Sequence, residues 1–463
     1  PAYNFLNDND ITEIQAETFN STPQLTRLFL SNNKLAGLRS DMFTGLGNLE
    51  ELSLYSNNIT DIQAGTFNPT PQLIILYLSN NKLTNLRSDM FTGLGNLRDL
   101  YLYSNDMTDI QAGTFNSTPQ LKNLWLFKNT LAHLRSDMFT GLGNLGELYL
   151  TVNPINDIQA GTFNSTPQLT RLHLNNNKLT GLRSDMFTGL GNLDELELQN
   201  VDISDVQTGT FNSTPQLRSL HLRNNKLTTL RTGMFTGLGN LQDLRLCNNP
   251  TIDIQAGTFN STSQLKHLWL DDNKFTHLRP GMFTGLGNLE MLSLKNNGIS
   301  YIQAGTFNST PQLRWLYLLN NYIQSIPPNL LSNLFQLQVL RLTYNNITMF
   351  PFEDLARLEN LSVLSLENNQ MTTLPSVAYD LLSSISEVYI YNNPWQCDCR
   401  MVGFRLKMTR SYSYDDYITC SQPDILYGQK LIDTSSEHLM SSCEEPTTVL
   451  TSHAPTTVAT NIT

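Results

Sequence analysis

The chain has 463 residues, 40% of them hydrophobic, with 29 basic against 40 acidic side chains and a formal net charge of -11. Lys and Arg are scattered rather than clustered, which argues against nucleic acid or an anionic membrane as the main partner. No run of about 18 apolar residues is present to span a bilayer, and neither an initiator Met nor a signal peptide opens the sequence, so the N-terminus reads as processed or trimmed.

In chain order, residues 1–24 read as the tail of a repeat, because Leu6, Asn9, Ile11, Ile14 and Phe19 fall on the spacing of the later copies. No cysteine-bearing cap precedes them, and an uncovered sheet edge is expected there. From Leu25 the pattern Leu-x-x-Leu-x-Leu-x-x-Asn recurs every 24 residues, at Leu49, Leu73, Leu97, Leu121 and onward to Ile385, sixteen copies in all. Such a period outweighs length as a guide to domain count, since a solenoid grows by adding units that bury their apolar faces only against neighbours. Up to about Gln312 the deeper period is 48. Units with Arg-Ser-Asp-Met-Phe-Thr-Gly-Leu-Gly-Asn alternate there with units carrying Gln-Ala-Gly-Thr-Phe-Asn-Ser-Thr-Pro-Gln. After Leu313 the near-identity ends while the leucine spacing persists. The repeats are expected over 1–392, a cysteine-rich cap over 393–443, and a Thr/Pro-rich, disordered stalk over 444–463.

In each unit, positions four and six point one way and three, five and seven the other. Leucines at one, four and six, Leu or Ile at eleven and fourteen, and a Phe at nineteen (Phe43, Phe67, Phe91 through Phe307) supply the interior. The expected fold is an α/β solenoid, a horseshoe with sixteen parallel strands on an inner arc of roughly 75 Å. Gly, Pro and Thr in the return segments favour turns and 3₁₀ pieces on the convex side. The ninth-position Asn turns the chain, its amide donating and accepting between coils. Val201 stands where that Asn is expected, which predicts a local irregularity with a shifted turn.

Four of the five cysteines, Cys397, Cys399, Cys420 and Cys443, fall in the last fifth of the chain and suggest a stapled segment in an oxidising compartment. Spacing alone leaves three pairings open, and a zinc reading of Cys-x-Cys finds no companion pair. Ten glycosylation sequons point to the same compartment: Asn20, Asn58, Asn116, Asn164, Asn212, Asn260, Asn308, Asn346, Asn360 and Asn461. Asn68 is blocked by Pro69. The bland alternative is that Phe-Asn-Ser-Thr was copied along with the repeat, and even then an exposed series of sequons in a secreted protein is expected to carry some sugar.

The 24-residue pattern with its Phe spine resembles the extracellular leucine-rich repeat family, and Asn393-Pro394-Trp395-x-Cys397-Asp398-Cys399 with Cys420 and Cys443 resembles its C-terminal cysteine cap. Cap and stalk together are most similar to the variable lymphocyte receptors of jawless vertebrates or a related invertebrate receptor; Toll-like and neuronal receptors share the modules. The resemblance implies pairing of Cys397 with Cys420 and Cys399 with Cys443. It also implies a secreted or cell-surface location and recognition of a protein or carbohydrate ligand, microbial in an immune-type receptor. The near-identity of the double units departs from that family's diversified modules.

Position five runs Phe29, Ser53, Tyr77, Tyr101, Trp125, Tyr149, His173, Glu197, His221, Arg245, Trp269, Ser293, Tyr317, Arg341, Ser365 and Tyr389, half of them aromatic against 9% of the chain. Copies agree at buried positions and differ here. Drift over a fixed core accounts for variety, but a contiguous bank of exposed rings is a liability unless something covers it, and Tyr and Trp dominate binding hot spots. The expected contact site is therefore Tyr77, Tyr101, Tyr103, Trp125, Phe127 and Tyr149, followed by a polar zone of His173, Glu197, His221 and Arg245, then Trp269. That zone reads as an ion-paired face, a second contact zone or a His-Glu-His metal site; two histidines two strands apart make the last the weakest. Cys247 has no partner and reads as a lone thiol or an intermolecular disulfide. No nucleophile with a base, phosphate loop or paired carboxylates stands out, so neither an enzyme nor a cofactor is expected. Recognition of a foreign ligand leads; adhesion or guidance through self or matrix partners, a homodimer among them, is the alternative, with membrane attachment only through an anchor beyond the stalk.

Overall fold

The computed structural model describes residues 2–441 and 443. The stalk 444–463, with Asn461, lies outside them. One parallel sheet of seventeen strands runs through the repeats. Successive strands such as Asp99–Tyr101, Asn123–Trp125 and Glu147–Tyr149 pair in register, each residue against its counterpart 24 positions on. The sheet exceeds the expected sixteen strands because Ala2–Phe5 also pairs with Leu25–Phe29. Stacking of Phe5 on Phe29, at 5.0 Å, accompanies that pairing.

The leucines at positions one, four and six are buried throughout, as Leu121, Leu124 and Leu126 illustrate. Asn129 shows what the ninth position does. Its Nδ2 donates to Leu126 O at 3.0 Å and to Leu102 O, one coil back, at 3.1 Å, while its Oδ1 accepts from Met107 N at 3.2 Å. The buried side chain thus satisfies carbonyls and an amide of two coils that the strands leave unpaired. At Val201 the turn is not shifted. Asn200 keeps the left-handed φ of its equivalents at 57°, and Val201 fills the Asn volume fully buried. The irregularity moves one residue on, to Asp202 at φ 75°.

On the far side the double unit is a physical entity. Two-residue strands pair inside each one, Gly37–Leu38 with Asp61–Ile62 and His133–Leu134 with Asp157–Ile158. The close phenylalanine pairs also fall inside, as Phe43 with Phe67 at 6.1 Å and Phe139 with Phe163 at 6.1 Å. Between double units an arginine reaches back: Arg183 donates to Asp157 Oδ1 at 2.7 Å and Ile158 O at 2.8 Å. Arg87 and Arg135 do the same to Asp61 and Asp109. The convex path through the duplicated units is turn rather than 3₁₀. Helical pieces come only later, a 3₁₀ turn at Phe352–Arg357 and an α-helix at Ser376–Leu382.

Past the last repeat, strand Trp395–Gln396 pairs with Cys420–Gln422. Cys397 is bonded to Cys420 and Cys399 to Cys443. Trp395, Met401, Phe404 and Leu431 close the end of the hydrophobic core. Among the described residues no helix is long and apolar enough to cross a membrane.

Candidate functional site

The in-register sheet sets position five of each strand beside position five of the next, at the ~4.8 Å strand spacing. Aromatic rings placed there stack. Tyr77 lies 4.5 Å from Tyr101, Tyr101 3.9 Å from Trp125, Trp125 5.5 Å from Tyr149, and Tyr149 4.3 Å from His173, centroid to centroid. None of these pairs departs from parallel by more than 17°. Position seven adds a shorter row, Tyr103 on Phe127 at 4.4 Å, with Tyr55 tilted at 6.5 Å from Tyr103. All these rings are half-buried.

Rings stacked in this way cover one another's π faces. A ligand arriving at the concave surface meets ring edges and phenol oxygens instead. Burial first, then the neighbouring Tyr77 and Asp99, push the Tyr101 phenol up to about 12. Burial and the Glu147 carboxylate, which accepts from its hydroxyl at 2.5 Å, likewise raise Tyr149. The phenols therefore stay protonated near neutral pH and serve as both donors and acceptors.

Beyond the bank the face is polar and ion-paired. His173 is shared between two groups, stacked on Tyr149 and bonded through Nδ1 to Glu197 Oε2 at 2.9 Å. Its Nε2 is buried without a hydrogen-bond partner. The Glu197 pKa is lowered, chiefly by the His173 bond and also by Asn175. His221 is buried next to Glu197, and burial followed by Arg245 pushes its pKa below the ordinary histidine value. Arg245 donates to Asp243 Oδ1 at 2.8 Å and lies 5.9 Å from the Trp269 ring centroid. Trp269 Nε1 donates to Asp243 Oδ2 at 3.3 Å. Glu197, His221, Arg245 and Trp269 line a hollow of about 710 Å³ together with Cys247 and Asp271. The free Cys247 thiol is half-buried, and burial raises it to about 11, so it is a protonated, unreactive group near neutral pH.

The structure thus places Tyr77, Tyr101, Trp125, Tyr149, His173, Glu197, His221, Arg245 and Trp269 in one line, with Tyr103 and Phe127 beside it. Position three supplies what the column reading passed over. Glu51, Asp99, Glu147, Glu195 and Asp243 recur there on every second strand and form a row of carboxylates along the rings. The signal was present in the sequence, since the 48-residue alternation carries an acid at that place. Of the described sequon asparagines, Asn20, Asn116, Asn164, Asn212, Asn260, Asn308, Asn346 and Asn360 are exposed and Asn58 is half-buried.

Comparison with known proteins gives a family match and a set of related folds. The leucine rich repeat family model matches seven times, over residues 5–59, 47–107, 96–155, 144–203, 192–250, 239–299 and 288–347. No curated protein matches the chain at a significant level. Among solved structures, TLR13 in the TLR13-ssRNA13 complex is 24% identical with a TM-score of 0.67, covering 94% of this chain and 57% of its own. Toll in the Drosophila Toll-Spatzle complex is 23% identical with a TM-score of 0.70, covering 90% of this chain and 64% of its own. An LRR protein of Leptospira interrogans is 25% identical with a TM-score of 0.60, covering 85% of this chain and 90% of its own. The chain therefore spans under two thirds of the length of the first two. With seven tandem matches over the repeats and a concave parallel sheet built from their leucines, the chain belongs to the leucine-rich repeat family.

Proposed function

We propose that the protein is an extracellular recognition receptor that binds a macromolecular ligand, in first place a protein, on the aromatic bank of its concave face. One observation carries the reading: five rings from Tyr77 to His173 form a continuous half-exposed stack that the leucine core does not need. Rigid rings offer amphipathic contact area with little side-chain entropy left to lose. The orientation of the stack favours protein over a stacking ligand, because sugar rings and bases bind aromatic faces and these faces are taken. The carboxylate row beside the rings disfavours a phosphate backbone, although one related structure, TLR13, holds ssRNA13. Others hold protein or peptide partners, Spatzle on Toll and RGF2 on a plant peptide hormone receptor.

Two disulfides and the exposed sequons support an oxidising, extracellular setting. Immune-type recognition of a microbial surface, as in the variable lymphocyte receptors, is the leading form of this reading. Adhesion through self or matrix partners is the second, and a carbohydrate ligand fits only at the ends of the ring stack.

The test is a binding comparison of the recombinant protein with microbial surface proteins, cell-wall glycans and extracts of its own tissue. The double variant Trp125→Ala/Tyr101→Ala is carried through every arm. Loss of about 2 kcal/mol or more in affinity is expected, the size typical of central hot-spot rings. Affinity unchanged within about 0.5 kcal/mol, well under that hot-spot size, would place the ligand on another surface.

A further inference from the structure

The polar zone beyond the bank holds a donor set that ligand recognition does not use. Glu195 and Glu197 stand two residues apart on one strand and share its concave face, while the next strand sets His221 beside Glu197. One ligand atom from each of the three lies within 4.8 Å of the others.

The two oxygens of Glu197 have different surroundings. Oε2 accepts from Asn175 Nδ2 and is bonded to His173 Nδ1. Oε1 faces His221 Nδ1 at 3.8 Å, beyond hydrogen-bond reach. On the opposite side of that ring, Nε2 lies 3.0 Å from Ser219 Oγ and 3.8 Å from Asp243 Oδ1. In the tautomer that carries its proton on Nε2, toward Ser219 and Asp243, the Nδ1 lone pair is directed at the Glu197 carboxylate oxygen. The side chain bearing it is 10% exposed. Two acceptors that face each other, with a third carboxylate in reach, have their mutual repulsion relieved by a cation between them.

We propose that Glu195, Glu197 and His221 bind a divalent transition cation of the zinc class, with Asn175, His173 and Ser219 orienting the ligands from behind. One imidazole and two carboxylates suit that class and leave at least one coordination position open toward the concave face. A ligating histidine held through its other nitrogen is the usual supporting arrangement. Arg171, whose Nε lies 3.6 Å from Glu195 Oε2, is the competing cation. Its side chain is 50% exposed and is also held by Glu147 Oε1 at 2.5 Å, a pairing it can keep when it leaves Glu195.

Calorimetric titration of the chelator-stripped full chain with ZnCl₂ at pH 7.5 tests the site. One zinc per chain is expected, together with a rise in the thermal midpoint. Glu197→Gln and His221→Gln are expected to weaken binding about tenfold or more. Glu195→Gln, at a side chain 28% exposed, does the same without touching the core. His133→Gln, an exposed histidine elsewhere, leaves binding unchanged. Absence of saturable heat overturns the site, as does undiminished binding in both Glu195→Gln and His221→Gln, or an equal response to MgCl₂.

Discussion

Val152 occupies the eighth position of its repeat, where every copy turns through the left-handed region at φ between 52° and 58°. Asn holds that place in most copies, and its short side chain tolerates the conformation. A β-branched residue does not, and Val152 at φ 57° is also 43% exposed, so no burial offsets the strain. Val152→Asn is expected to raise the urea midpoint by an amount equivalent to about 1 kcal/mol. A neutral or lower midpoint would mean that the strain is relieved elsewhere. His221 governs a second residue-scale effect. Its folded pKa lies below the ordinary value near 6.5, so in the window between the two the unfolded chain binds more protons. The stability it contributes is complete above about pH 6.5 and declines as pH falls toward the folded value. Urea midpoints should drop between pH 7.5 and 5.5, and the drop should shrink in His221→Gln. The identity of the column residues could be read from the sequence because strand period fixes position five. Which atoms of His221 and Glu197 face each other could not, since that depends on rotamers chosen by Ser219 and Asn175.

At the scale of the element, the convex Thr-Gly-Leu-Gly turn of one double unit docks on the Phe-Asn turn of the one before it. At Gly141, φ is 97° and a Cβ would stand 2.7 Å from the carbonyl carbon and oxygen of Phe115. Gly143, two residues on, would meet nothing within 4 Å. Gly141→Ala should therefore cost about 1–3 kcal/mol, while Gly143→Ala stays within about 0.5 kcal/mol, the range of ordinary surface changes. Equal urea midpoints for the two variants would show that the docking can yield. The glycines announced a turn in the sequence, but not which carbonyl the first one meets. Strand, core and asparagine ladder were readable because a 24-residue period repeats their contacts sixteen times. The pairing inside double units depends on the three-dimensional path between repeats. The extra strand Ala2–Phe5 was missed for a related reason, as it lacks the leucine frame and is accompanied instead by the Phe5 and Phe29 rings.

For the whole molecule, the double unit predicts how the solenoid tolerates length change. Stability of a repeat array is close to a sum of unit and nearest-neighbour interface energies. Removing residues 145–192 takes out one 48-residue period, the second half of one double unit and the first half of the next, and rejoins an Arg-Ser-Asp-Met-Phe unit to a Gln-Thr-Gly-Thr-Phe unit, so every interface that remains is of a kind already present. Removing residues 145–168 takes out half as much chain but sets two Arg-Ser-Asp-Met-Phe units side by side. Arg183 then loses Asp157 and meets the place of His133, and Gly189 loses the Phe163 carbonyl it packs against. The two-residue strand His133–Leu134 also loses its partner Asp157–Ile158. The smaller deletion is therefore expected to be the more destabilising, with a lower urea midpoint by circular dichroism and tryptophan fluorescence. If the midpoint instead falls in proportion to the residues removed, the 24-residue coil and not the 48-residue pair is the unit of stability.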